Sequence, residues 1–162
     1  MACTRSLAII GAASVWGSNI SRALAAANYR LLLMDEASFH HELLILFNEL
    51  MQSNTSLNAD LITCSKEASW EADIILLIVD ARKEKDWIRK MKEVVTQKII
   101  INISAEDKVD DELQHLLPYA KIVQVVAKEK AEGNLVFRLV QPETYDQEVM
   151  HTATHLIAQM NV

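Results

Sequence analysis

Short apolar runs alternate along this chain with stretches in which apolar residues recur every three or four positions. The apolar runs predict β-strands at residues 6–10, 30–34, 61–64, 73–79, 98–103, 121–126 and 134–140. The helical spacing predicts helices at residues 18–27, 40–51, 86–95, 106–117 and from 142 to about 160. Strands and helices therefore alternate almost throughout, which is typical of βαβ units.

The clearest strand signal is the run DIILLIV at residues 73–79. Its uniformly apolar character predicts burial on both faces, in a parallel sheet covered by helices on each side. We therefore predict a three-layer α/β fold with a doubly wound, mostly parallel sheet in the order 3-2-1-4-5-6. The last strand, 134–140, follows a short turn and can run antiparallel. No linker or repeat interrupts residues 1–162, so we expect one domain.

Composition narrows the range of partners. Lys and Arg number 16 against 22 Asp and Glu, which gives a formal net charge of −6. This acidic balance argues against nucleic acid and anionic membranes as partners, because both need clustered basic residues. The basic run at 82–92 is interleaved with acidic residues, so we interpret it as a solvated helix face. No apolar run approaches the ~20 residues that a membrane helix needs.

Cysteine and histidine spacing predicts neither disulfides nor a metal site. Cys3 and Cys64 indicate free thiols, which favours a cytoplasmic protein. His151 and His155 lie one helical turn apart, but no third metal ligand accompanies them. The apolar fraction of 51% predicts self-association through helix faces, as a homodimer.

The turn after the first strand is the first candidate binding element. It consists of Gly11, Ala12, Ala13, Ser14, Val15, Trp16 and Gly17, and it opens directly into a helix. In a doubly wound sheet, ligands lie beyond the carboxyl ends of the strands, where amide N–H groups and the helix dipole can hold a pyrophosphate. Gly11 permits the tight turn, Gly17 permits close packing of the helix, and Ser14 offers a hydroxyl donor.

Two interpretations of this turn remain open. The usual G-x-G-x-x-G pattern would need glycines at Ala13 and Trp16, so the turn either binds a dinucleotide weakly or only connects a strand to a helix. Asp35 favours binding, because it ends the second strand 18 residues after Gly17. A carboxylate there accepts hydrogen bonds from ribose hydroxyls and repels a 2′-phosphate, which favours NAD over NADP. The alternative for Asp35 is an ordinary residue of a strand-end turn.

The segment IIGAASVWGSNISRALAAANYRLLLMDE resembles the opening of NAD(P)-dependent oxidoreductases with a Rossmann fold. Its GAAS start also resembles short-chain dehydrogenases, whose proton transfer uses a Tyr-x-x-x-Lys pair. This chain has no such pair, since Tyr119 lies two residues from Lys121 and no lysine follows Tyr145. We therefore reject an active short-chain dehydrogenase.

The middle of the chain resembles a different group of families. EADIILLIVDARKEKDWIRKM followed by KIIINISA is similar to deazaflavin-dependent NADP oxidoreductases, pyrroline-5-carboxylate reductases, and 6-phosphogluconate and 3-hydroxyacid dehydrogenases. The resemblance implies that residues 11–17 hold the pyrophosphate and Asp35 the adenosine ribose. It places Val79, Asp80 and Ala81 beside the second ribose, and Asn102, Ile103 and Ser104 near the nicotinamide. The chain departs from the pattern at Ser14 (usually glycine), at Asp80 (usually proline) and at Asp35, which does not suit NADP.

These observations predict an NAD(P)-dependent oxidoreductase that transfers hydride between a nicotinamide dinucleotide and a second cofactor, such as a deazaflavin, or a small substrate. The cofactors carry the chemistry of such a transfer, so it needs no side-chain acid or base, and the sequence identifies no catalytic residue. The alternatives are a degenerate dinucleotide-binding module without catalysis and a protein-interaction domain on the same scaffold.

Overall fold

A computed structural model describes residues 4–106 and 111–161. In those ranges the strands are β1 (Ser6–Ile10), β2 (Arg30–Met34), β3 (Ala59–Leu61), β4 (Ile74–Leu77), β5 (Ile99–Ser104), β6 (Lys121–Glu129) and β7 (Leu135–Leu139). The α-helices are α1 (Val15–Ala25), α2 (His40–Ser53), α3 (Ser65–Glu71), α4 (Ala81–Met91), α5 (Asp111–Leu116) and α6 (Gln147–Met160). Three short 3-10 turns lie at Ala37–Phe39, Ala131–Gly133 and Pro142–Thr144.

The strands form one sheet in the order β3-β2-β1-β4-β5-β6-β7. The first six strands pair in parallel, and β7 pairs antiparallel with β6. The predicted strand order and the antiparallel last strand are both confirmed. The order reverses between β1 and β4, so the ends of these two strands form the crevice where such folds bind ligands.

The core lies on both faces of the sheet, as the uniformly apolar strands predict. Leu7 and Ile9 of β1 face α1, α2 and α6, whereas Ala8 and Ile10 face α3, α4 and α5. Because side chains alternate along a strand, a strand buried on both faces must be apolar at every position. The predicted three-layer, doubly wound α/β fold is confirmed.

Several predicted boundaries are wrong, chiefly at helix starts. Helix α1 begins at Val15 rather than Ser18, and α4 runs from Ala81 to Met91 rather than over 86–95. Helix α6 begins at Gln147, because the chain first makes the 3-10 turn at Pro142–Thr144. Strand β3 ends at Leu61, where the predicted third strand would begin, and α3 was not predicted at all. Part of the helix predicted at 106–117 falls on residues 107–110, which lie outside the described ranges.

Candidate functional site

The turn from β1 into α1 depends on its two glycines. Gly11 has a φ of +88°, and a Cβ there would lie 1.9 Å from the carbonyl oxygen of Ile78, just beyond β4. A Cβ on Gly17 would lie 2.0 Å from the carbonyl oxygen of Gly11. Both neighbours are backbone atoms that cannot rotate away. The glycines therefore allow α1 to approach the ends of β1 and β4.

Ser14 explains why α1 starts where it does. Its hydroxyl accepts a hydrogen bond from the N–H of Gly17 at 3.0 Å, which caps the helix, and donates one to the carbonyl of Gly11 at 2.7 Å. The sequence predicts that the Ser14 hydroxyl donates to a phosphate, but in the structure it donates to the Gly11 carbonyl within the turn. Ser14 therefore caps α1, and its place at a phosphate stays a prediction.

Two backbone amides at this helix start are left for a ligand. The first four N–H groups of the turn are already used: Gly11 and Ala12 donate to the carbonyl of Met34, Ala13 to Asp35 Oδ2, and Ser14 to the carbonyl of Gly11. The N–H groups of Val15 and Trp16 have no acceptor in the described part of the chain. They lie at the positive end of the α1 dipole, where an anion is stabilised.

Asp35 is bonded to the glycine turn. Its carboxylate accepts hydrogen bonds from the N–H groups of Ala13 and Glu36, each at 2.8 Å. Burial raises the pKa of the Asp35 carboxyl and outweighs these two hydrogen bonds, which lower it; the Glu36 carboxylate raises it and Lys83 lowers it. Asp35, the residue that the sequence predicts to bind a ribose, therefore also fixes the conformation of the turn.

A cavity of about 460 Å³ lies beside Asp35 at the end of β2. Its lining residues are Met34, Asp35, Glu36, Ala37, Thr63, Cys64, Trp87 and Lys90. Lys83 of α4 forms an ion pair with Glu36, with 2.9 Å between Nζ and Oε2. Two lysines of α4 thus lie near the acidic end of β2. The sequence directly after Asp35 does not indicate these two lysines.

A larger cleft of about 740 Å³ opens on the other side of the turn, beyond the ends of β4 and β5. The predicted site residues that line it are Ser14, Val15, Trp16, Val79, Asp80, Asn102, Ile103 and Ser104. Gly11, Ala12, Ala13 and Gly17 of the same turn do not line the cleft, and Ala12 is fully buried; Ala81 is the first residue of α4. The structure thus brings these three predicted segments to one cleft, and it separates Asp35 into the neighbouring cavity.

The cleft also contains side chains that the sequence interpretation missed. Glu84 and Lys85 of α4 and Gln124 of β6 line it, together with Ala105, Glu106 and Glu112. The interpretation of residues 82–92 as a solvated face is wrong at Glu84, which is buried. A helix starting at residue 81 places Glu84 on the same face as Trp87, Ile88 and Met91, and this spacing was the available signal.

Asp80 has a structural role in this wall. It caps α4 by accepting a hydrogen bond from the backbone N–H of Arg82 at 2.9 Å, and the Arg82 guanidinium donates to the same carboxylate. The Arg82 side chain and then its N–H lower the pKa of Asp80 to about 2. An aspartate can therefore start this helix where the families that the sequence resembles usually have proline.

The floor of the cleft is polar. The amide nitrogen of Asn102 donates to a carboxylate oxygen of Glu84 and, at 3.0 Å, to the amide oxygen of Gln124. The hydroxyl of Tyr145 in turn accepts a hydrogen bond from the backbone N–H of Gln124. These contacts join α4, β5 and β6 at one point.

Other candidate chemistry does not converge on a site. Within residues 4–106 and 111–161, no three histidine, cysteine or acidic side chains group as metal ligands would. The helices in those ranges are too short or too polar to cross a membrane. Cys64 is a free, exposed thiol, and Cys3 lies outside the described residues.

Comparison with known proteins gives matches by structure alone. No family model and no curated protein matches the sequence. A pyrroline-5-carboxylate reductase from Coxiella burnetii superposes with a TM-score of 0.73 at 14% identity, over 99% of this chain and 58% of its own. The pyrroline carboxylate reductase of Plasmodium falciparum with NADP bound superposes with a TM-score of 0.69 at 13% identity, and the match covers 98% of this chain and 56% of that protein. A protein of Arthrobacter described as an F420-dependent NADP reductase superposes with a TM-score of 0.68 at 12% identity, and the match covers 95% of this chain and 80% of that protein.

These likenesses confirm the resemblance at the level of fold. The three superposed proteins represent two of the families suggested by the strand patterns of the sequence. The chain spans less than three fifths of the length of the two pyrroline carboxylate reductases. At such low identity the shared feature is the Rossmann-type fold, and binding and activity must be argued from the site.

Proposed function

We propose that this domain binds a nicotinamide dinucleotide, NAD in preference to NADP, across the carboxyl end of its sheet. The proposal rests on one observation: a 460 Å³ cavity and a 740 Å³ cleft flank a single glycine turn at the point where the strand order reverses. In this arrangement the adenosine lies by Asp35, the pyrophosphate at the N–H groups of Val15 and Trp16, and the nicotinamide in the cleft.

We further propose an oxidoreductase reaction in which hydride passes between the nicotinamide and a second cofactor, such as a deazaflavin, or a small substrate. A bound dinucleotide would supply the hydride chemistry, so the residues of the cleft need only bind and orient the two partners. A carbonyl or imine substrate would also need a proton. Lys85 lines the cleft, 2.6 Å from Glu112 in an ion pair, and is the candidate to provide it.

A second candidate function is binding without catalysis. It is favoured by the hydrogen bonds of the turn, which leave only two N–H groups for a pyrophosphate, and by the Asp35 carboxylate, which accepts a hydrogen bond from Ala13 of the same turn. A module with this weak anion site would respond to the level of a dinucleotide without turning it over. Oxidation of NADH in the presence of candidate acceptors distinguishes the two functions.

Val15→Pro tests the proposed pyrophosphate site. Proline lacks the N–H but is well tolerated at the first position of a helix, and Ser14 already has the extended backbone that precedes proline (ψ 163°). A hydrogen bond to a charged group contributes about 1.5–3 kcal/mol, so we expect the Kd for NAD to rise about tenfold or more in calorimetric titrations.

Val15→Ala is the matched control, because it shortens the side chain but keeps the N–H, and it should weaken binding much less. Saturation of the unmodified protein at 100 times Kd should also raise the free energy of unfolding by about 2.7 kcal/mol. If NAD, NADH, NADP and NADPH all leave the melting temperature unchanged at millimolar concentration, the proposed function is wrong.

We also propose that the domain forms a homodimer. Phe39, Leu44 and Ile45 leave apolar surface exposed near the start of α2, and 54% of Ile45 is accessible. Sedimentation at high micromolar concentration should give a dimer, and Ile45→Lys should give a monomer because it places a charge in the apolar contact. A monomer before substitution would contradict the proposal.

The proposed location is the cytoplasm. The exposed thiol of Cys64 is free, which suits a reducing compartment. A nicotinamide dinucleotide and a small-molecule or deazaflavin substrate are the proposed partners. The net charge of −6 gives no support to nucleic acid as a further partner.

A further inference from the structure

Three polar side chains are buried together at the floor of the larger cleft. Glu84, Asn102 and Gln124 expose 8%, 4% and 5% of their surfaces, and they come from α4, β5 and β6. The neighbouring inward positions of the same strands, such as Ile100 and Ile122, are aliphatic. Burying a carboxylate and two amides is costly, so such groups at a cleft mark a candidate binding site.

The carboxylate fixes the orientation of both amides. A carboxylate oxygen of Glu84 accepts a hydrogen bond from Asn102, which therefore turns its NH₂ group towards Glu84. The second N–H of that group donates to the amide oxygen of Gln124 at 3.0 Å. Gln124 must then direct its own NH₂ group elsewhere, and Asn102 must do the same with its oxygen.

The two remaining polar groups belong to the cleft. Within the described ranges, neither the Gln124 Nε2 group nor the Asn102 Oδ1 atom has a hydrogen-bond partner. Both residues line the cleft, and neither group is a fully enclosed unsatisfied atom. The floor therefore presents one donor and one acceptor, carried by hydrogen-bonded neighbours.

A donor beside an acceptor is the complement of a primary carboxamide. We propose, on the basis of the proposed dinucleotide site, that Gln124 donates to the carboxamide oxygen of the nicotinamide and that Asn102 accepts from its NH₂ group. Glu84 acts as a positioning residue, because it sets the direction of both amides without itself binding the ligand. The site thereby selects a carboxamide over a carboxylate, which has no N–H and would face the Asn102 oxygen.

Calorimetric titration of the unmodified protein with four dinucleotide-type ligands tests this selection. 3-Acetylpyridine adenine dinucleotide keeps the carbonyl but lacks the NH₂ group, so it should bind about tenfold more weakly than NAD. Nicotinic acid adenine dinucleotide, which carries a carboxylate, should bind more weakly again. ADP-ribose lacks the pyridine ring, so its affinity measures binding at the rest of the dinucleotide site.

Gln124→Met and Glu84→Gln test the separate roles. Gln124→Met should weaken the binding of NAD and of the acetylpyridine analogue by the same factor, about tenfold, and leave the affinity for ADP-ribose unchanged. Gln52→Met, on the exposed surface of α2, is its control. Glu84→Gln allows the Asn102 amide to reverse, because glutamine can donate, so the preference for NAD over the nicotinic acid analogue should shrink. A merely structural role for Glu84 would leave that ratio unchanged.

The outcomes separate this inference from the proposed function. If ADP-ribose and NAD bind but the nicotinic acid analogue binds as tightly as NAD, or Gln124→Met leaves NAD unchanged, the carboxamide site is wrong and the dinucleotide site stands. If neither ADP-ribose nor NAD binds, the proposed function fails as well. The ligand series on the unmodified protein still decides the question if Glu84→Gln does not fold.

Discussion

Gly11→Ala should destabilise the fold by about 3 kcal/mol or more, from the cost of positive φ and of overpacking together. The φ of +88° disfavours any side chain, and the new Cβ would lie 1.9 Å from the carbonyl oxygen of Ile78. That oxygen is part of the backbone, so relief requires α1 or the end of β4 to move. The shift of the urea midpoint at constant m-value measures the loss.

Gly133→Ala is the matched control for this substitution. Gly133 has a similar φ of +76°, but nothing lies within 4 Å of the position its Cβ would take. It should therefore show the backbone cost alone, about 1 kcal/mol. Equal losses for the two variants would show that the close approach at Gly11 does not constrain the turn.

Asp35→Ala should narrow the difference in affinity between NAD and NADP by tenfold or more. A 2′-phosphate beside the Asp35 carboxylate meets like charge in a half-buried cavity, and such a contact can cost several kcal/mol. The Glu36 charge is offset by its ion pair with Lys83, so Asp35 carries most of the repulsion. Titrations of both dinucleotides against both proteins measure the change.

The discrimination by Asp35 should also depend on pH. Burial raises the pKa of this carboxyl, so protonation begins at a higher pH than for an exposed aspartate. As the pH falls through that raised pKa, the repulsion is lost and the preference for NAD should relax. Glu143→Ala, which removes an exposed charge between β7 and α6, is the control. Equal affinity of the unmodified protein for NAD and NADP at neutral pH would refute the role of Asp35.

Much of the fold was predictable, because it follows from the burial of strands. The run DIILLIV indicates a central parallel strand, and the short connection at Ala131–Gly133 leaves β7 no path but an antiparallel return. Helix α3 was missed because it has seven residues and little apolar periodicity. The start of α4 was hidden by its charges, since the cap at Asp80 carries no hydrophobic signal.

The site was predictable only where its residues are adjacent in sequence. The glycine turn and Asp35 follow from strand ends and could be located in advance. The polar floor of the cleft joins residues separated by 18 and 22 positions, on elements of unknown register until the fold is formed. Lys83 and Lys90 reach the Asp35 side from α4 for the same reason, and no local pattern around Asp35 indicates them.

The two glycines of the turn bear on the evolutionary history of such domains. Both are required by protein backbone atoms, so a lineage that stopped binding dinucleotides would still be selected to keep them. Their presence therefore reports a structural requirement of the turn and says little about binding. Val15 and Gln124 are different, because a proline at position 15 or an apolar residue at position 124 would reduce the stability of the fold much less than the proposed affinity for the dinucleotide. Drift at those two positions would identify the descendants that no longer bind.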